Sequence, residues 1–116
     1  MGCTEDGTCL TDRVDVDPSE THVTAEMFKA LGDERRLLIL KTVAANPGIC
    51  ACGLLDLFQM SQSTLSHHMK LLCDAGFVKC EKQGKWSHYR LNDRGKRGIE
   101  SFIEAMWPSP SNEKHD

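Results

Sequence analysis

Apolar residues fall at helical spacing from Thr24 onward, at Met27, Phe28 and Leu31. Thr24 suits an N-cap and Gly32 a stop, so the pattern predicts a first helix there. Asp33 is placed to cap a second helix carrying Leu37, Leu38, Ile39, Leu40 and Val43, which Asn46-Pro47-Gly48 ends. A short third helix is expected near Cys52, using Leu54, Leu55, Leu57 and Phe58. After a turn at Gln59-Met60, Ser61 caps a fourth helix running to about Ala75, with Leu65, Met69 and Leu72 inward and Gly76 closing it. Beyond Gly76 the period becomes strand-like. Phe77–Lys82 and Trp86–Leu91 flank Gln83-Gly84-Lys85 and read as a β-hairpin. Asp93 caps a last helix bearing Ile99, Phe102, Ile103, Met106 and Trp107, and Pro108 and Pro110 end it. The expected fold is mainly α with a β-hairpin wing (α+β), a winged helix-turn-helix.

The 116 residues suit one domain. Residues 1–17 read as a flexible acidic arm carrying Cys3 and Cys9, residues 18–108 as the winged helix-turn-helix, and residues 109–116 as a disordered tail. No apolar run approaches the ~18 residues of a membrane span, and the start of the chain has no signal-peptide core. The expected setting is therefore cytoplasmic, with no membrane partner. In that compartment six cysteines point to metal or redox chemistry rather than to a disulfide framework.

The net charge of −3 argues against nucleic acid, but its distribution does not. Residues 61–98 carry eight bases against three acids, between acidic ends. Such a block is either a solvated face or a face that meets phosphates. The helix from Ser61 favours the second. Its outward residues include Gln62, Ser63, Thr64, Ser66, His67, His68 and Lys70. Hydroxyls, amides and imidazoles crowd its first two turns, and several are weak helix formers. A solvated helix face is ordinarily built from Glu, Lys and Arg. In a helix-turn-helix this segment enters the major groove, where Gln can pair with adenine and hydroxyls meet bases or phosphates. The hairpin adds Lys82, Lys85 and Arg90 for the flanking backbone or the minor groove, braced by Trp86 and Tyr89.

The blocks FKALGDERRLLIL, CACGLLDLF, SQSTLSHHMKLLCDAGFV and KQGKWSHYRL together resemble the ArsR/SmtB family of metal-sensing repressors, from about Pro18 to Trp107. The resemblance implies a homodimer through the first and last helices. Met27, Phe28, Leu31, Ile99, Phe102, Ile103 and Met106 fit that role, being more apolar side chains than one small core needs. It also implies a repressor that binds an operator, expected as an imperfect palindrome, and leaves it when a toxic metal or metalloid binds.

Cys50 and Cys52 precede the reading helix. Positions i and i+2 diverge inside a regular helix, so they can share an ion only where the helix begins and the backbone is irregular. A helix N-terminus also favours thiolate, and paired thiolates select soft ions. The alternative is a chance pair, one cysteine buried and one exposed. By resemblance, Cys-x-Cys here is a sensor's ligand pair, Leu55 stands where arsenic sensors often carry a third cysteine, and cadmium and lead sensors draw two more from an N-terminal arm, here Cys3 and Cys9. Trivalent arsenic needs three thiolates and tetrahedral cadmium or zinc four. Arsenite is the preferred inducer, with cadmium, lead or zinc as alternatives, and no prosthetic group is expected. Cys73 and Cys80 read as packing residues. The rival function is a redox-sensing repressor that forms a disulfide from these thiols. No Cys-x-x-Cys, Gly-rich cofactor loop or acid–base cluster suggests an enzyme.

Overall fold

The computed structural model describes residues 17–108 and, in the arm, the backbone strands β1 (Gly2–Cys3) and β2 (Cys9–Leu10). Those two strands pair antiparallel with Cys3 opposite Cys9. The rest of the arm and the tail from 109 lie outside the described residues, and with them the flexible-arm and disordered-tail expectations.

Helix α1 spans Pro18–Leu31, so it begins before Thr24. Asp17 is its N-cap, accepting from the Ser19 N–H at 3.0 Å, and Pro18 occupies the first turn, where a missing N–H costs nothing. Thr24 instead sits inside the helix and bonds back to the Glu20 carbonyl. Asp33 caps α2 (Glu34–Ala45) as expected. A two-residue strand β3 (Ile49–Cys50) follows, unforeseen from the sequence, and leads directly into α3 (Ala51–Phe58). Gln59 takes the left-handed conformation, φ 51°, and turns the chain into α4 (Gln62–Asp74), capped by Ser61. Strands β4 (Val78–Gln83) and β5 (Trp86–Leu91) form the hairpin, and α5 spans Asp93–Met106, capped by Asn92 rather than Asp93. The sheet order is β3-β5-β4, all antiparallel, so the second wing strand is central. This is a winged helix-turn-helix.

The core takes one residue set from nearly every element: Met27 and Ala30 from α1, Ile39 and Val43 from α2, Leu54 from α3, Leu65, Met69 and Leu72 from α4, and Val78 and Tyr89 from the hairpin. Met27 is buried within it, and Leu31 and Ile99 pack against it. These three of the seven expected interface residues therefore serve the chain's own core. Phe28 (41% exposed), Ile103 and Met106 remain outside, beside an edge-to-face pair of Phe28 and Phe102 with centroids 5.6 Å apart. That apolar strip runs along α1 and α5.

Helix α5 closes on the core through two glycines. A Cβ on Gly95 would stand 2.6 Å from the Phe77 ring and 2.9 Å from the Gly76 backbone. On Gly98 it would meet only the flexible end of Met27. Alanine gains about 1 kcal/mol of helix propensity over glycine, while overpacking a rigid site costs about 1–3 kcal/mol. Gly95→Ala should therefore lower the denaturant midpoint, whereas Gly98→Ala should leave it within about 1 kcal/mol of the parent or raise it. Urea unfolding of both variants checks the contrast.

Candidate nucleic-acid interface and thiol pair

Helix α4 presents the expected polar face. Ser61, Gln62, Ser63, Thr64, Ser66, His67 and Lys70 are all exposed. The N-terminal hydroxyls order one another: Ser61 Oγ accepts from the Thr64 N–H at 3.1 Å and lies 2.9 Å from Thr64 Oγ1 and 3.2 Å from Ser63 Oγ. Lys70 pairs with Asp74 at 3.0 Å, one turn on. Lys82, Lys85 and Arg90 are exposed on the hairpin, Arg90 beside Glu81 at 3.5 Å. Tyr89 is buried in the core, while Trp86 is half-exposed.

His68 is the correction on this helix: it is 8% exposed and faces inward. Helical spacing explains it, because His68 shares a face with Leu65 and Leu72. Its Nδ1 lies 3.1 Å from Arg36 Nη1. Guanidinium only donates, so the imidazole accepts at Nδ1 and carries its proton on Nε2. The same Arg36 donates from Nε to the Ala30 carbonyl at 2.8 Å and from Nη2 to the Lys29 carbonyl at 3.2 Å, and stands 3.9 Å from Asp33. Arg36 was not singled out from the sequence; an Arg just after the cap of a helix following an exposed helix end is its only local signal.

The two thiols are brought together. Cys50 is the N-cap of α3, in extended conformation, and accepts from the Cys52 N–H at 3.3 Å. The two sulfurs lie 2.7 Å apart, unbonded, with the Cys52 S–H donating to Cys50. This donation and the Cys52 N–H hold the Cys50 pKa below the ordinary thiol value, and the same contact pushes Cys52 up. The pair is thus one thiolate-prone sulfur and one thiol that loses its proton second. Cys50 is half-buried and Cys52 exposed, so a soft ion has access.

Cys73 packs against the core, and burial pushes its thiol up to about 11. Cys80, expected to pack, is exposed, since β4 leaves the core after Val78. For Cys3 and Cys9 the register is described but not the side chains. Among the described residues no three His, Cys, Asp or Glu side chains cluster closely enough to hold an ion. His88, which sequence reasoning passed over, lies opposite Cys50 in the sheet and donates from Nδ1 to the Gly48 carbonyl at 3.1 Å. The alternation of the WSHYR strand, with Tyr89 inward, is the signal that puts His88 on the other face.

These features define a helix-turn-helix regulator with a thiol pair at the start of its first motif helix. The family described as "Bacterial regulatory protein, arsR family" matches residues 33–79. An arsenical resistance operon repressor of Bacillus subtilis is 41% identical over 74 residues, covering 64% of this chain and 70% of that one. An uncharacterized HTH-type transcriptional regulator of Methanocaldococcus jannaschii is 46% identical over 82 residues, 71% of this chain and 92% of that one. In fold, the chain is similar to a homodimeric winged helix-turn-helix DNA-binding domain of Mycobacterium bovis, with TM-score 0.63, 21% identity and coverage of 92% and 96%. The chain belongs to the arsR family of transcriptional regulators.

The Arg36 contact makes a pH prediction. Burial lowers the His68 pKa below 6.5, with Arg36 adding to the effect and Asp33 opposing it. A depressed folded pKa means the unfolded chain takes the proton first. The neutral contact is therefore fully present above the unfolded pKa of about 6.5 and is lost as pH falls below it. Stability should drop as pH falls below about 6.5, and His68→Gln, whose amide oxygen can accept from Arg36, should flatten that drop. Thermal unfolding across this range measures it.

Proposed function

We propose that this regulator is a metal(loid)-responsive repressor, bound to its operator as a homodimer and released when a thiophilic ion is captured by Cys50 and Cys52. The observation that carries the reading is the contact of two sulfurs at the N-cap of α3, the short helix that precedes the reading helix. The arsenical repressor relative supports arsenite as the inducer. Capture balances simply: each thiol that bonds to arsenous acid gives its proton to a departing hydroxide, which leaves as water. Cys50 and Cys52 supply two bonds, and Cys3 or Cys9 of the arm is the proposed third donor, since Leu55 offers none. A four-thiolate site using both arm cysteines would suit cadmium, lead or zinc instead.

On the DNA, Ser61, Gln62, Ser63, Thr64, Ser66 and His67 are assigned to the groove and Lys70, Lys82, Lys85 and Arg90 to phosphates. His68 is withdrawn from that set. The apolar strip of Phe28, Phe102, Ile103 and Met106 is the proposed dimer seam, and the homodimeric relative supports it. Two reading helices about 34 Å apart would match an imperfect palindrome. A DNA-bound regulator of this kind works in the cytoplasm; no described helix is long and apolar enough to cross a membrane.

Release requires the ion to favour a conformation that binds DNA poorly, and a shift from 1:99 to 99:1 takes about 5.5 kcal/mol of differential binding. Cys50→Ser and Cys52→Ser should each keep operator affinity and abolish release by arsenite, as read by fluorescence anisotropy in excess thiol reductant. Release by arsenite in the double variant at the parent's concentration would sink the assignment. Release by peroxide but not arsenite would favour a redox sensor, although a disulfide across one intervening residue is strained.

A further inference from the structure

Strand β3 is only Ile49–Cys50, yet three consecutive residues of the wing hold it and the glycine before it. The Gly48 N–H donates to the Tyr89 carbonyl at 2.8 Å. His88 Nδ1 donates to the Gly48 carbonyl at 3.1 Å. Ile49 is registered against Tyr89 and Cys50 against His88. The third residue, Arg90, lays its guanidinium over Gly48, where a Cβ would stand 3.1 Å from Nη2. Gly48 has φ +85°, a conformation that also favours glycine. So the residue that carries one sulfur is part of the same sheet as an exposed wing cation.

We propose that the wing relays the ion's arrival: Gly48 and His88 are positioning residues that transmit displacement of Cys50 to Arg90 and the hairpin tip. This rests on the thiol reading above and adds a route to it. Cys50 is at once N-cap, strand residue and ligand. An ion that draws Cys50 and Cys52 into its own geometry removes the cap contacts they now make, and the backbone at 48–50 must adjust. β5 cannot ignore that adjustment without losing hydrogen bonds. Tyr89 is buried and fixes the middle of β5 in the core, so it is the pivot. On one side of it Arg90 rests on Gly48 and pairs with Glu81 at 3.5 Å; on the other, His88 leads to Trp86 and the Gly84-Lys85 turn. Rotation about the pivot moves the wing's cations relative to the reading helix, which shears a two-part DNA contact without unfolding either part.

The chain has two tryptophans, so Trp107→Phe leaves Trp86 as the wing's own reporter. The full-length reduced protein in that background is titrated with arsenite while thiolate–arsenic absorbance, Trp86 emission and operator anisotropy are followed. Trp86 emission is expected to change with the same end point as the absorbance. His88→Ala should keep the absorbance end point, at least halve the Trp86 response, and reduce the arsenite-induced loss of operator affinity by about three- to tenfold, the effect of one hydrogen bond. His88→Gln, whose amide can donate to the Gly48 carbonyl, should restore both. A silent Trp86 while absorbance saturates and DNA is released overturns the relay and leaves the thiol site standing, as does a His88→Ala response identical to the parent's. An absorbance change that persists in the Cys50→Ser/Cys52→Ser variant overturns the thiol reading and the relay with it.

Discussion

Arg36 hydrogen-bonds to two pieces of chain, the end of α1 and the reading helix, and ties both to the start of its own helix. Its planar fork donates to the carbonyls of Ala30 and of Lys29, which also accepts from the Gly32 N–H, at the end of α1, stands beside Asp33, the cap of its own helix, and donates to His68 of the reading helix. Its side chain is 12% exposed, so these bonds are made largely out of water. Hydrogen bonds to a charged group contribute about 1.5–3 kcal/mol each. A lysine could not replace it, since a single ammonium cannot reach in three fixed directions. The reading helix thus takes its orientation from a point contact as well as from Leu65, Met69 and Leu72, and the polar face of Ser61–His67 is aimed outward as a consequence.

The thiol pair depends on an equally local constraint. Two cysteines spaced i, i+2 would diverge on a formed helix. They meet because Cys50 is still extended, φ −76° and ψ 148°, and only Cys52 is helical. Pro47-Gly48 upstream lets the chain turn there. The contact that joins the sulfurs also divides their acidity, lowering the Cys50 pKa and raising that of Cys52. A short helix and a turn through the left-handed Gln59 separate this pair from the reading helix. The strand on the other side gives the wing the same proximity.

Much of this was legible in the sequence. Asp33 and Ser61 are caps because a carboxylate or hydroxyl before an apolar-periodic run satisfies free N–H groups, and Gly84 marks a hairpin between alternating strands. Thr24 suggests too late a start for α1, because Asp17-Pro18-Ser19 carries the stronger start signal. Strand β3 was illegible because two residues have no period; only pairing with β5 makes them a strand. His68 reads as polar and therefore outward, yet helical spacing puts it on the inward face with Leu65 and Leu72; what the local pattern does not reveal is its partner there, Arg36, 32 positions away. Likewise Cys80 looked like packing because the sequence does not show where the wing leaves the core.

The central claim is that Cys50 and Cys52 form the ion's seat. The most direct measurement is anomalous scattering at the arsenic edge from crystals of the reduced protein grown with arsenite. The account predicts one peak per chain, within bonding distance of both Cys50 and Cys52 sulfurs. A peak at Cys73 or Cys80, with the Cys50–Cys52 pair empty, would contradict it.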